Sequence, residues 1–365
     1  MEPEAVIENY KEEILELFKK NFKESFSKNV NVNFEYIILL TQDQLGISLS
    51  DFGEIQYLKN WYNNICLHQQ ISSLVEKNSF NEMIFHSHQW MQTIYLDQKN
   101  QNTLPFVSTE DFQLCLEILA QRNHIEWNYR VPFASFNLYI ARKKLRVTLV
   151  HFSTTTNGIS KLFLRHLCEE IAELSDLNLE ARIFDILQTS VREKMNILVC
   201  GATGSGKTTL LKALLNSADS NEHIITLEDT HELSLNGKNQ TSLLSQPLQG
   251  KSLKDYCSYA LRMSPDRLVI GEMRSDEVVP FILAMNTGHR GLMSSIHANS
   301  CKDAIARVAL LFCIYHQGQE ISYETIVKLI CHSINLIIFV ENKKVQGICK
   351  VIGAEGDQPI LERFF

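Results

Sequence analysis

Between residues 195 and 218 the chain reads MNILVCGATGSGKTTLLKALLNSA, and this stretch constrains the fold more than any other. A short apolar run, Ile197 to Cys200, leads into a glycine-rich loop and then a segment of helical periodicity. Gly201, Gly204, Gly206, Lys207 and Thr208 satisfy G-x-x-x-x-G-K-[ST] without a mismatch. The glycines let consecutive backbone N–H groups wrap a phosphate. The lysine neutralises β- and γ-oxygens, and the threonine hydroxyl is offered to Mg2+. The helix that starts there adds the positive end of its dipole. The segment therefore predicts a nucleotide site for ATP with Mg2+, in which Ala202, Thr203, Ser205 and Thr209 complete the cradle.

Three further short apolar runs, in HIITLED, RLVIGE and LMSSIHA, end in polar residues. Buried strands separated by helices imply a mostly parallel sheet with helices on both faces. Ligands of such sheets sit beyond the strand C-termini, so these polar tips should converge on one crevice. The first tip offers Glu228 and Asp229, and a carboxylate there can orient or deprotonate an attacking water. The second is unusual. P-loop hydrolases commonly place an Asp there for the magnesium shell, whereas this strand ends in Gly271-Glu272. Glu272 is one methylene longer and can reach the magnesium water shell past the small glycine, or polarise the nucleophile; Glu228 and Glu272 both remain candidates for the stronger base. The third region, NTGHRGLMSSIHANS, supplies His289 and His297 on either side of a short strand; the far end, His297, should point at the crevice, where an imidazole can hydrogen-bond a γ-phosphate and report its loss.

The rest of the chain divides by pattern. Residues 1–75 read as a helical N-terminal extension, with a polar break near TQDQLGISLSDFG. Residues 76–165 read as a mixed α/β domain: EMIFHSHQWMQTIYLD alternates like paired strands, STEDFQLCLEILAQRNH opens with a Ser108 or Thr109 cap, and SFNLYIA and LRVTLVHF are strand-like. A linker over 166–177 leads to the α/β ATPase domain of 178–365, whose INLIIFVENKKVQGICKVIG reads as an antiparallel edge hairpin. The net charge of −7 gives no bulk attraction to nucleic acid, and no direct nucleic-acid partner is expected. The nine cysteines never form a C-x-x-C pair, so no zinc is expected and the thiols read as reduced and buried. No run approaches the ~18 apolar residues of a membrane span. The acidic start MEPEAVIENYKEEILELFKKNF has no signal-peptide core, and its apolar stripe reads as a packing face.

The boxes ITLEDTHEL, LRMSPDRLVIGEMR and GHRGLMSSIHANS, following the P-loop in this order, resemble the type II/IV secretion ATPase superfamily, in which the second strand ends in Gly-Glu. LEDTHEL, AMNTGH and SSIHANS are most similar to its CpaF-like branch of tight-adherence (Flp) pili, and the eight-residue step from His289 to His297 suits that branch and type IV secretion members. The resemblance implies a RecA-like P-loop domain in a homo-hexamer, cytoplasmic and peripheral to the inner membrane, where ATP hydrolysis works on a membrane platform protein. It also implies arginines lent to the nucleotide by the N-terminal domain of the same or a neighbouring subunit. Arg146 and Arg165 match those positions, and Arg130 resembles a third. Arg262 and Arg274, flanking the Gly-Glu strand, are candidates for phosphate or subunit contacts. Two departures stand out: Ser264 where the family often carries Arg, and ASFNLYIARKKL where it has an Asp and a Gly-containing turn. A type IV secretion or conjugation ATPase is the alternative within the superfamily. A nucleic-acid motor and an inactive scaffold subunit are disfavoured, the first by the charge and histidine box, the second by the complete set of catalytic positions.

Overall fold

The computed structural model describes residues 3–27, 33–46, 49, 54–95, 98–103, 108–167, 173–233, 237–245, 251–318 and 320–365, with only the backbone of residues 3–12, 27 and 54. Two units emerge, Met1–Leu167 and Cys168–Phe365, and the division falls inside the expected linker, whose residues 168–172 lie outside the described set. Among the described residues no helix is long and apolar enough to cross a membrane.

The first unit opens with helices α1 (Pro3–Ser27), α2 (Phe34–Leu45), α3 (Glu54–Cys66) and α4 (Gln69–Lys77). Strands β1 (Glu82–Phe85), β2 (Trp90–Tyr95) and β3 (Gln98–Thr103) follow, then helix α5 (Thr109–Arg122) and strands β4 (Phe133–Ile140), β5 (Lys143–Val150) and β6 (Lys161–His166). The strands form one sheet in the order β3-β2-β1-β6-β5-β4, with every pairing antiparallel. Ser108 caps α5, its hydroxyl accepting the Asp111 N–H at 3.1 Å. This is the cap geometry that satisfies an orphan donor of the first turn. One hydrophobic core joins Phe18, Ile37 and Leu58 of the early helices to Phe112 of α5 and to Met83, Val147 and Leu164 of the sheet. The helical region of residues 1–75 and the mixed region that follows it thus share a core. β3 has no apolar alternation, which is why the sequence did not announce it; β6 lies in what reads as the approach to the linker.

The second unit contains α6 (Ala181–Arg192), β7 (Ile197–Cys200), α7 (Lys207–Asn216), β8 (Ile224–Glu228), β9 (Gln240–Leu244), α8 (Leu253–Ala260), β10 (Arg267–Ile270), α9 (Val278–Asn286), β11 (Met293–Ile296), α10 (Cys301–Tyr315), α11 (Tyr323–Ser333), β12 (Leu336–Glu341), β13 (Lys344–Glu355) and β14 (Gln358–Arg363). Its sheet runs β14-β13-β12-β7-β11-β10-β8-β9. The six strands from β12 to β9 are parallel, and β13 and β14 add an antiparallel edge. The final hairpin is therefore only half an edge, because β12 pairs in parallel with β7 inside the sheet.

All four residues of β7, β10 and β11 are buried. Alternate side chains of a strand point to opposite faces, and β7 feeds two cores accordingly. Ile197 and Val199 pack with Leu187 of α6 and Leu211 of α7, while Leu198 packs with Phe281 of α9 and Val308 of α10. Helices on both faces leave only the strand ends open. The chain passes from β7 to β8 on one side and later adds β12 on the other, so the sheet order reverses next to β7. That is the position where open parallel sheets form their ligand crevice.

Candidate functional site

At the end of β7 the chain turns through Gly201, Gly204 and Gly206, whose φ angles are 156°, 73° and 103°. Gly201 has a second constraint: a Cβ there would collide with the Val340 carbonyl oxygen and lie 2.6 Å from Ser205 Oγ. Only a residue without a side chain lets the loop pass this close to β12. Helix α7 then begins at Lys207, with Gly206 as its cap. Lys207 is buried, and its ammonium donates to the carbonyls of Gly201 at 3.0 Å and Ala202 at 2.8 Å. Burial lowers its proton affinity, and nearby Glu272 acts in the opposite direction. Ser205 Oγ is buried without a hydrogen-bond partner among the described residues. Ala202, Thr203, Gly204 and Thr209 form the exposed rim. A glycine-rich turn, a helix start, a buried ammonium beside the loop carbonyls and an orphaned hydroxyl together fit a phosphate chain.

The carboxylates gather beside this cradle. Glu228 ends β8 and is 4% exposed. Its Oε1 accepts the N–H groups of Glu232 at 2.9 Å and Leu233 at 2.8 Å, while Oε2 is buried without a partner among the described residues. Burial outweighs those two donors and pushes its pKa up to about 7. Gly271 makes room for it: a Cβ at 271 would sit 3.2 Å from Glu228 Cγ. Asp229 turns away, exposed, and accepts from Ser245 Oγ at 2.5 Å.

Glu272, at the tip of β10, is held from two sides. One oxygen accepts from Arg274 Nε at 2.8 Å and from its Nη2, and the other lies 2.5 Å from His297 Nε2. His297 Nδ1 is in turn 3.4 Å from Lys207 Nζ. His297 Nε2 and Glu272 Oε1 are close without being aligned for a hydrogen bond, and that oxygen has no other partner among the described residues. Lys207, His297, Glu272 and Arg274 thus form one chain of contacts across the tips of β7, β11 and β10. Glu277 supports it by accepting the N–H groups of Arg274 and Ser275, at 2.5 and 2.9 Å. Thr208 Oγ1 faces Glu232 Oε2 at 3.4 Å.

Among the described residues no three His, Cys, Asp or Glu side chains converge closely enough to hold a metal ion alone. Mg2+ commonly takes one or two protein oxygens and fills its octahedron with phosphate and water. Thr208, Glu232 and Glu272 suit that partial role.

Arg146 of β5 and Arg165 of β6 are half-buried and stand directly opposite each other in the first unit, with Asn137 and Glu82 continuing the row. Like charges in directly opposed positions repel. Arg130 is exposed and donates to its neighbour Tyr129 at 2.8 Å. Arg262 is exposed beyond α8. His289 lies apart from the cradle. It lines a small cavity with Lys194, Pro265 and Asp266, which precede β7 and β10. It therefore sits at the N-terminal rim of the sheet, opposite the cradle, because only one end of β11 can face the crevice. Sequence reasoning missed Glu232 as part of the acidic group and Arg274 as a clamp on Glu272. The first was visible only as a carboxylate in LEDTHEL, and the second only as a charge two residues from the strand tip.

The family described as type II/IV secretion system protein matches residues 101–352. The type IV secretion system protein VirB11 of Bartonella quintana is 37% identical over 271 residues, covering 70% of this chain and 75% of the relative. VirB11 of Bartonella henselae is 32% identical over 258 residues, covering 68% and 70%. The solved pilus retraction motor PilT with bound ADP superposes with a TM-score of 0.57 at 20% identity, over 80% of this chain and 82% of that one, and so shares its fold. The match spans both units and every strand tip that carries a candidate residue, and on that extent the chain belongs to the type II/IV secretion system protein family.

Proposed function

We propose that the chain is a Mg2+-dependent ATP hydrolase that works as a mechanical motor for secretion or pilus assembly. The observation that carries this reading is the continuous contact from Lys207 through His297 to Glu272, beside a buried Glu228 with one unpaired oxygen. In this reading the Gly201–Thr209 loop binds the phosphates, with Lys207 exchanging its loop carbonyls for phosphate oxygens. Glu228, whose pKa of about 7 suits a proton acceptor at neutral pH, takes a proton from the attacking water. Glu272, tied to Arg274 and His297, orders the water shell and senses the γ end through the imidazole. Bound Mg2+ supplies charge neutralisation on the β- and γ-oxygens. Arg146 and Arg165, paired across β5 and β6, are in this reading the arginines lent to a phosphoryl-transfer site.

The chain works, in this reading, as a homo-hexamer on the cytoplasmic face of the inner membrane, pushing a platform protein by nucleotide-driven movement of its units. The relatives named type IV secretion proteins favour that branch, while LEDTHEL and SSIHANS favour the CpaF-like pilus branch. Isolation of the intact chain from cell membranes with its bound partners separates the two, since a pilus platform and a type IV secretion channel are different proteins. Steady-state hydrolysis tests the enzyme reading. Lys207→Ala should abolish turnover, and Glu228→Gln and Glu272→Gln should retain ATP binding with turnover lowered at least a hundredfold, on the order of a lost general base. Undiminished hydrolysis in all three variants refutes it.

A further inference from the structure

The cradle has two flanks, and Glu228, Glu272 and His297 occupy only one. From β7 the sheet continues through β11, β10 and β8, whose tips carry His297, Glu272 and Glu228. On the other side stands β12, which pairs Phe339 with Cys200 and so runs past the strand end beside Gly201. Its turn into β13 consists of Asn342 and Lys343, with φ of 50° and 60°, closed by the Glu341–Lys344 pair. Positive φ at both central residues is the geometry of a type I′ hairpin turn.

This turn is pressed against the cradle. The Lys343 N–H donates to the Ser205 carbonyl at 2.9 Å. A Cβ on Gly206 would lie 3.3 Å from Lys343 Cα and 3.8 Å from its Cβ. The exposed lysine side chain therefore starts beside the first turn of α7, on the flank opposite His297 and Glu272. A nucleotide whose γ end meets Lys207, His297 and the carboxylates must run its α-phosphate and ribose the other way, toward the β12–β13 turn.

We infer that Lys343 is a nucleotide-binding residue whose ammonium pairs with the α-phosphate, while Lys207 serves the β/γ end. The inference rests on the nucleotide reading of the cradle proposed above. It makes the hairpin turn the second wall of the site: its backbone holds the loop at Ser205, and its side chain supplies positive charge on the flank away from Glu228 and Glu272. The loss on removing Lys343 must be alike for ADP and ATP, which share the α-phosphate.

The test is calorimetric titration of the full chain with Mg-ADP, and of the Mg-ATP complex under non-turnover conditions in a Glu228→Gln background. Lys343→Gly keeps the N–H and suits the left-handed turn, so the bond to Ser205 and the melting temperature should persist while ADP binds about tenfold more weakly, the scale of one hydrogen bond to a charged group. Lys343→Arg should restore binding to within twofold, and Lys344→Ala, one residue along, should leave it unchanged. A loss of threefold or more in Lys343→Gly, equal for ADP and ATP and restored by arginine, supports the assignment. A smaller loss, one not restored by arginine, or one confined to ATP overturns it and leaves the nucleotide reading intact. An unmodified chain that binds no nucleotide overturns both.

Discussion

Glu228→Gln should make the second unit more stable as pH rises, and the size of the effect follows from the site. An exposed glutamate titrates near 4.5, whereas burial holds Glu228 protonated up to about 7. Below 4.5 both folded and unfolded states carry the proton, and ionisation adds nothing to the balance. Between 4.5 and 7 the unfolded chain releases it while the folded chain keeps it, so stability falls as pH rises. Above 7 the folded chain bears the full penalty of a buried carboxylate. That gap, at about 1.4 kcal/mol per pH unit, amounts to about 3 kcal/mol. Glutamine removes the titration and retains an oxygen to accept the Glu232 and Leu233 N–H groups. Its amide nitrogen replaces the unpaired Oε2 and adds an unsatisfied donor, which costs about 1 kcal/mol at every pH. The variant should therefore be about 1 kcal/mol less stable than the parent at pH 4.5 and about 2 kcal/mol more stable at pH 8.5. Trp61, Trp90 and Trp127 all lie in the first unit, so tryptophan fluorescence would miss the change. Hydrogen exchange at the amides of β8 and β10 reads it directly. A stability difference that does not vary between pH 4.5 and 8.5 would mean that Glu228 is not buried as an acid, and its assignment as base would lose its physical ground.

Other consequences follow from named contacts. Turnover should rise with pH along a limb centred near 7, the value burial gives Glu228; a pH–rate profile flat from 6 to 8 contradicts Glu228 as proton acceptor. Gly271→Ala places a methyl 3.2 Å from Glu228 Cγ, so it should displace the carboxylate and lower kcat with ADP affinity unchanged, at about 1–3 kcal/mol of stability; kinetics and calorimetry on one preparation check the split. At the opposite rim, Arg267 is 1% exposed and is held by Glu222 at 2.5 Å and by the Val191 carbonyl at 2.7 Å. Glu222→Ala strands that charge and should cost roughly 3–5 kcal/mol in urea unfolding, whereas Arg267→Met, paired with Glu222→Met, should cost far less.

What could be read from the sequence was what is local to the chain. The cradle, the apolar strands and the polar residue at each strand tip are contiguous patterns, and parallel topology alone carries Lys207, Glu228, Glu272 and His297 to one rim. The same grounds separate His289 from His297, since residues before and after a four-residue strand lie at opposite ends. Contacts that depend on a loop folding back were not legible. The Glu232 and Leu233 N–H groups reach Glu228 only because the loop after β8 turns over it, and Arg274 reaches Glu272 only because Glu277 holds the intervening turn. Register was equally hidden: nothing in LRVTLV or KLFLRH says that Arg146 and Arg165 face each other, because a slip of one residue would send them to different faces. The hairpin ending in Lys343 read as an edge because its alternation says nothing of the parallel pairing of β12 with β7.

The most direct measurement is a crystal structure of the chain with Mg2+ and a non-hydrolysable ATP analogue. The account predicts the γ-phosphate within hydrogen-bond reach of both Lys207 Nζ and His297, with the lysine drawn off the Gly201 and Ala202 carbonyls and Glu228 facing the position of the attacking water. An analogue bound away from the Gly201–Thr209 loop, or bound there with Glu228, Glu272 and His297 all turned from its γ-phosphate, would contradict it.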